Sequence, residues 1–290
     1  MTTHNLEEIS LEIKELLEKR RQELELTFVE EKHIYFMKDI DGKVKSNFPS
    51  VSKIIKKFHK PFDAEGMALR MCNGDPEEAK ILQEQWKKAG SDSTNMGSRV
   101  HFELESSLIN RYDNYKDVRQ PIYEISEEQK IKSDNMIYAG NRFLDIMHDR
   151  GAVLLDTEIV LGDPNLQYTG QPDKVWLMQN KEKNDFGFVI TDWKSNQPKN
   201  FEIKHYTGKM YNPFSGIPDN ALGHYYLQLP MYGRLLNKML EGTKYESKKL
   251  LGSVVVLLKD DKTYVEYKVP PEVQYNVYKL DLSKYISRGW

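Results

Sequence analysis

Cysteine is almost missing from this 290-residue chain: Cys72 stands alone. One thiol forms no intrachain disulfide and supplies no four-cysteine zinc or iron–sulfur centre, so a reducing, cytoplasmic setting is expected and no iron–sulfur cluster. Also missing is a long apolar run. The most apolar stretch, 254–258, falls far short of the roughly 20 residues that span a bilayer, and residues 1–22 alternate charge with aliphatic side chains instead of forming a secretory apolar region. No membrane partner and no export are expected. No sign of charge dominates either: 42 Lys and Arg stand against 44 Asp and Glu, a net charge of −2. Any polyanion must therefore be met by a local basic groove and not by the field of the whole molecule. A phosphate loop of the form GxxxxGK[ST] is absent, which excludes a built-in helicase motor of that kind.

What remains has the composition of a globular chain, 39% hydrophobic and 30% charged, without internal repeats. Asn5 with Glu8 resembles a capping box, and Leu6, Ile9, Ile13, Leu16 and Leu17 recur at helical spacing, so a first helix is predicted to about residue 24. Residues 27–37 and 43–48 flank Asp39-Ile40-Asp41-Gly42 and read as a hairpin. Ser50 or Ser52 caps a short basic helix, and 61–94 is polar, helical in part, with the character of a mobile insertion. A helix is expected from Thr94, where Val100, Leu104 and Leu108 form one face and His101 and Glu105 lie on another, and a second over 126–149. The period then changes to two. Strands are expected over 152–161, 167–178 and 186–194, then a helix at about 219–241 and strands at 252–259 and 263–269.

Alternation places Asp192 and Lys194 on one face of the third strand, behind the apolar Phe188 and Ile190. Taken alone, D-x-K is the pattern of a surface ion pair. With Asp173 on the neighbouring strand and Glu158 on the one before, three acids and a lysine can converge, and oxygen ligands of that kind suit Mg²⁺.

Pro172-Asp173 followed by Asp192-Trp193-Lys194 resembles the signature of the PD-(D/E)XK nuclease superfamily. Gly97 to His101 resembles the GxxxH, and Gln228 to Tyr232 the QxxxY, of its RecB-type exonuclease branch. The stretch from Ser50-Val51-Ser52 through Trp86 to His101 is similar to phage and mitochondrial-type single-strand DNA exonucleases. The resemblance implies an α/β (α+β) fold with a restriction-endonuclease-like core of helix, three strands, helix and strand. It implies one nuclease domain over 1–290: N-terminal helix, hairpin and helical additions over 1–93, the core over 94–260, and a C-terminal strand and tail over 261–290.

For the site, the resemblance implies that Asp173, Asp192 and the main-chain carbonyl of Trp193 hold Mg²⁺, with Mn²⁺ as a substitute, and that Lys194 orients water or stabilises charge on the phosphate. Glu158 either binds the metal directly, binds through water, or pairs with Lys194. His101 approaches the same metal, Gly97 one turn earlier letting a strand come close. Gln228 and Tyr232, with His224 on the same helical face, bind phosphate or hold Lys194. Arg99, Lys53, Lys56 and Lys57, and Lys199, Lys204 and Lys209 after the D-x-K strand, are the candidate contacts to DNA, with Phe58 and His59 as rings that stack on a base; Lys53 to Lys60 can equally be a solvated face.

The expected activity is metal-dependent hydrolysis of phosphodiester bonds, most simply by an exonuclease on single strands or free DNA ends, in the host cytoplasm if phage-encoded, with a recombination or annealing protein as a further partner. Two alternatives stand beside it: a non-catalytic DNA-binding module that keeps the fold, and a structure-specific endonuclease. An intact Asp173, Asp192 and Lys194 favours catalysis, because pure binding has no need of that geometry.

Overall fold

The computed structural model of the chain describes residues 5–29, 32, 34–46, 48–111, 124–195, 201 and 208–286. Helix α1 (Leu6–Glu23) begins at Asn5, whose side chain accepts the Glu8 N–H, and it buries Leu6, Ile13 and Leu17. Strands β1 (Thr27–Val29), β2 (Ile34–Lys38) and β3 (Val44–Ser46) form an antiparallel sheet in that order. The single strand expected over 27–37 is thus two strands, paired with each other from Thr27 opposite Phe36. The turn after β2 follows its composition: Asp39 Oδ1 accepts the N–H groups of Asp41 and Lys43, and Gly42 takes the left-handed φ of +73°.

Ser50 caps α2 (Val51–Ile55). Beyond it, α3 (Ala64–Met71) packs on the first half of a single long helix, α4 (Pro76–Arg111). The helix expected to start at Thr94 therefore starts 18 residues earlier. Asp75 is the cap, accepting the N–H groups of Glu77 and Glu78, and Thr94 turns its hydroxyl back onto the Gly90 carbonyl, 3.0 Å away, so the Ser/Thr cluster does not interrupt the helix. Helix α5 (Glu127–Asp149) carries a complete capping box from Ser126 and Gln129.

Five strands make the central sheet. Strands β4 (Val153–Thr157), β7 (Lys174–Asn180) and β8 (Asp185–Lys194) run antiparallel in succession, then helix α6 (Ala221–Met239) crosses over to β9 (Leu250–Leu258), parallel to β8, and β10 (Tyr264–Lys268) closes the far edge. From α5 onward the order is helix, three sheet strands, helix, strand in a mixed α/β molecule. The chain between β4 and β7 leaves this sheet to form a separate hairpin, β5 (Leu161–Asp163) with β6 (Tyr168–Gly170). The strands expected over 152–161 and 167–178 are each broken for that reason, at Glu158 and at Gln171-Pro172-Asp173. Helix α7 (Pro271–Lys279), in the segment expected as a tail, starts with proline in its first turn and buries Val273 and Val277 one turn apart.

Strand β8 is covered on both sides. Phe188 and Ile190 enter the core shared with α1 and α6, while Val189 and Trp193 enter a second core with Val100 and Leu104 of α4 and Phe143 of α5. The C-terminal end of β8 consequently lies between α4 and α6. No helix among the described residues is long and apolar enough to cross a membrane.

Candidate active site at the end of the central sheet

Glu158 and Asp173 sit just outside the ends of the paired strands β4 and β7. Glu158 takes a left-handed φ of +46°, a conformation that disfavours a residue with a side chain, and two hydrogen bonds of its backbone hold the kink. Its N–H donates to the Asp173 carbonyl at 2.9 Å, and its own carbonyl accepts the Gln171 side-chain amide at 3.1 Å. Two acids expected on regular strands are thus turned toward the sheet end by a break in both strands.

Asp173 accepts the Trp193 N–H through Oδ2 at 2.9 Å, and the same oxygen lies 3.5 Å from Nδ1 of His101. Donor atoms of His101, Glu158 and Asp173 all fall within 4.8 Å of one another. Gly97, one turn before His101, marks the close approach of α4 to the sheet end: a Cβ there would stand 3.1 Å from the Ser195 hydroxyl, immediately after β8. One turn further along α4, Glu105 accepts the Thr157 hydroxyl at 2.8 Å.

Asp192 and Lys194 share the opposite face of β8 and form an ion pair. The lysine ammonium also lies 4.4 Å from the centre of the Tyr225 ring on α6. Further along that helix Gln228 donates to the Tyr232 hydroxyl at 2.5 Å, and Tyr232 packs against Gly170, where a Cβ would overlap the ring. Trp193 faces away from the acids, as alternation requires, with its ring edge-on to Phe143.

Burial and neighbouring charge together set the protonation pattern. Burial alone would raise Asp173, but His101, Lys174, Lys194 and the Trp193 N–H outweigh it and hold the group below its ordinary value. Asp192 is pushed up to about 6, by burial and then by Asp173, against the pull of Lys194. Glu158 is raised well above the carboxylate range by burial and by Asp173, Glu105 and Asp192. Burial also brings His101 down to about 4, only partly offset by Asp173 and by a hydrogen bond to the Trp193 main chain, so the imidazole is neutral near pH 7. Lys194 moves upward, because Asp192, Asp173 and Tyr225 outweigh its desolvation.

Lys174, Tyr225 and Glu105 belong to this cluster and escaped motif reading. Lys174 is 2% exposed, its ammonium 4.7 Å from the centre of the Trp193 ring, and burial lowers its pKa against the attraction of Asp173, Glu158, Glu105 and Asp192. A charge opening the apolar run Val175-Trp176-Leu177 is the signal it offered. Tyr225 shares a helical face with Gln228 and Tyr232, so its spacing was available to read.

The expected DNA contacts divide. Lys53, Lys56 and Lys209 are exposed. Lys57 is tied down, donating to the Tyr285 carbonyl at 2.5 Å, and Phe58 is fully buried against Phe214 and Tyr285, so its ring is not open to a base. Arg99 bridges α4 to α5 through Ser133, Asp134 and the Lys130 carbonyl. His224 is engaged with Asp219 and stacked on His59, apart from the acids. Lys199 and Lys204 lie outside the described residues.

No family model and no curated protein matches this sequence.

Proposed function

We propose that this chain is a divalent-metal-dependent nuclease of the PD-(D/E)XK type that hydrolyses DNA phosphodiester bonds, acting as an exonuclease on single strands or free ends. The observation that carries the reading is the convergence of His101, Glu158 and Asp173, donor atoms within 4.8 Å, beside the buried Asp192–Lys194 pair. The helix, three strands, helix, strand order, with β8 and β9 parallel, is in keeping with the restriction-endonuclease-like core that the motifs imply.

The donor set fits a hard dication. It is mostly carboxylate oxygen with one neutral imidazole, and burial, then repulsion from Asp173, raises Glu158 and Asp192, a penalty that added positive charge would relieve. Asp173, Asp192 and the Trp193 carbonyl would hold Mg²⁺ or Mn²⁺, with His101 and Glu158 as further donors. Bound there, the ion would polarise the phosphate and acidify a water.

The protein's own groups supply the rest. Lys194 stays charged, held by Asp192 and the Tyr225 ring, and would stabilise the phosphate oxygen on which charge grows as water attacks phosphorus and the phosphorus–oxygen ester bond breaks. Neutral His101 keeps a lone pair for binding. Gln228 and Tyr232, hydrogen-bonded to each other on α6, would help to position the phosphate or Lys194. The test is purified protein with Mg²⁺ on linear and circular DNA, single- and double-stranded, beside Asp173→Asn and an EDTA control. Linear single strands should disappear fastest. Full cleavage in excess EDTA, or by Asp173→Asn, would falsify the assignment.

A further inference from the structure

A second cluster lies outside these acids. His59 follows the turn Lys56–Phe58 after α2, Asp219 ends the segment that leads to α6, and His224 lies in the first turn of α6. His224 Nε2 is 2.8 Å from Asp219 Oδ1, and His59 Nδ1 is 3.9 Å from the same oxygen. The two imidazoles stack, centres 4.2 Å apart and 30° between planes. Donor atoms from the three residues all fall within 4.8 Å of one another.

We infer that His59, Asp219 and His224 form a binding site for a borderline dication such as Zn²⁺, separate from the acidic centre. Two neutral imidazoles and one carboxylate are a zinc-type ligand set, and Mg²⁺ has little use for two nitrogens. Zinc bonds of about 2.0–2.2 Å place tetrahedral donors roughly 3.3–3.6 Å apart, so the site closes when side-chain rotation draws together donors that now lie within 4.8 Å of one another. The outer contacts suit ligation. His59 Nδ1 lies 3.0 Å from the Lys60 carbonyl, a bond that fixes the proton on Nδ1 and leaves the lone pair on Nε2. Burial lowers the His224 pKa, which favours the neutral ring.

The backbone around the cluster is already held. The Asp219 N–H donates to the Gly208 carbonyl at 2.7 Å, and the Tyr211 N–H to the Phe58 carbonyl at 2.6 Å. An ion here ties the α2 segment, the 208–219 segment and the start of α6 together. Three side chains leave a coordination position for water.

The experiment uses the full chain carrying Asp173→Asn, so that the acidic centre is weakened, stripped with EDTA and titrated with Co²⁺ and then Zn²⁺. One Co²⁺ per chain should bind with the intense visible bands of a four- or five-coordinate site, and Zn²⁺ should displace it. Adding His59→Gln or Asp219→Asn should weaken binding about tenfold or more. A measurement without substitution at the cluster uses the unaltered chain. Zn²⁺ should protect His59 and His224 from diethylpyrocarbonate, read by peptide mass spectrometry, while exposed His148 reacts equally with and without the metal. Weak six-coordinate Co²⁺ bands, or unchanged modification of His59 and His224, overturns the inference.

Discussion

Two clusters of potential ligands lie on either side of the first turns of α6, and they are built on opposite electrostatic plans. At the sheet end, Asp173, Asp192, Glu158, Glu105, Lys174 and Lys194 are crowded together, with Asp192 at 3% and Lys194 at 16% side-chain exposure. Burying so many charges is unfavourable unless they are paired, and even paired they add little stability. The His59–Asp219–His224 cluster holds one carboxylate with two imidazoles, and all three residues are only half-buried. The first arrangement makes sense as chemistry that stability tolerates. The second is compatible with a binding role that scarcely disturbs the fold.

The contrast is broken most directly at Lys194. If its charge serves the transition state, Lys194→Ala should lower the single-turnover cleavage rate by about 10²-fold or more while DNA affinity in Ca²⁺ changes little. A near-wild-type rate at saturating DNA would reduce Lys194 to a phosphate contact. The next effect is on stability. Lys174→Met strips the countercharge from buried acids and should destabilise the metal-free protein by about 3 kcal/mol or more in urea unfolding, with saturating Mg²⁺ restoring more stability to the variant than to the wild type. A neutral result would mean that the acids do not depend on that lysine.

A smaller effect should appear in pH dependence. Asp192 is raised from the ordinary carboxyl value of 3.8 to about 6, so between those values the folded metal-free protein holds a proton that the unfolded chain has lost. Stability from this group is therefore greatest at low pH and falls as pH climbs toward 6, by on the order of 3 kcal/mol. Measured in EDTA between pH 4 and 7, the wild type should lose stability relative to Asp192→Asn; parallel curves would contradict the buried-acid account. The smallest change concerns the ring over Lys194. Tyr225→Leu should slow cleavage about five- to tenfold and Tyr225→Phe should recover most of it, since the cation–π contact needs the ring and not the hydroxyl. Equal loss in both variants would point to the hydroxyl instead.

Much of this was legible along the chain because it depends on local periodicity. The period of two placed Asp192 and Lys194 on one face, with Trp193 opposite, and the structure has them so. Spacing by four likewise put Gly97 and His101 on one face of α4, and the close approach of Ser195 to Gly97 shows why that position lacks a side chain. The first turn of α4 was missed because Thr94 resembles a cap in sequence while its hydroxyl is satisfied inside the helix. Glu158 was read on a strand because a left-handed residue inside Thr157-Glu158-Ile159 leaves no mark in composition.

Residue order was enough for the alternation of the apolar faces, the caps at Asn5 and Ser126, and the candidacy of Asp173, Asp192, Lys194 and His101, since each rests on spacing within a few residues; between Ser50 and Ser52 as the cap of α2 the fold decided for Ser50. Contacts between distant segments had to await the folded chain. Lys174 belongs with Glu105 because β7 packs beside α4, Arg99 and Lys57 are drawn from solvent into bonds with α5 and Tyr285, and His224 finds Asp219 and His59 instead of the acids. Electrostatic environment is set by what surrounds a group in space, and here the surroundings come from separate segments of the chain, 35 residues apart for Arg99 and Asp134 and 228 for Lys57 and Tyr285.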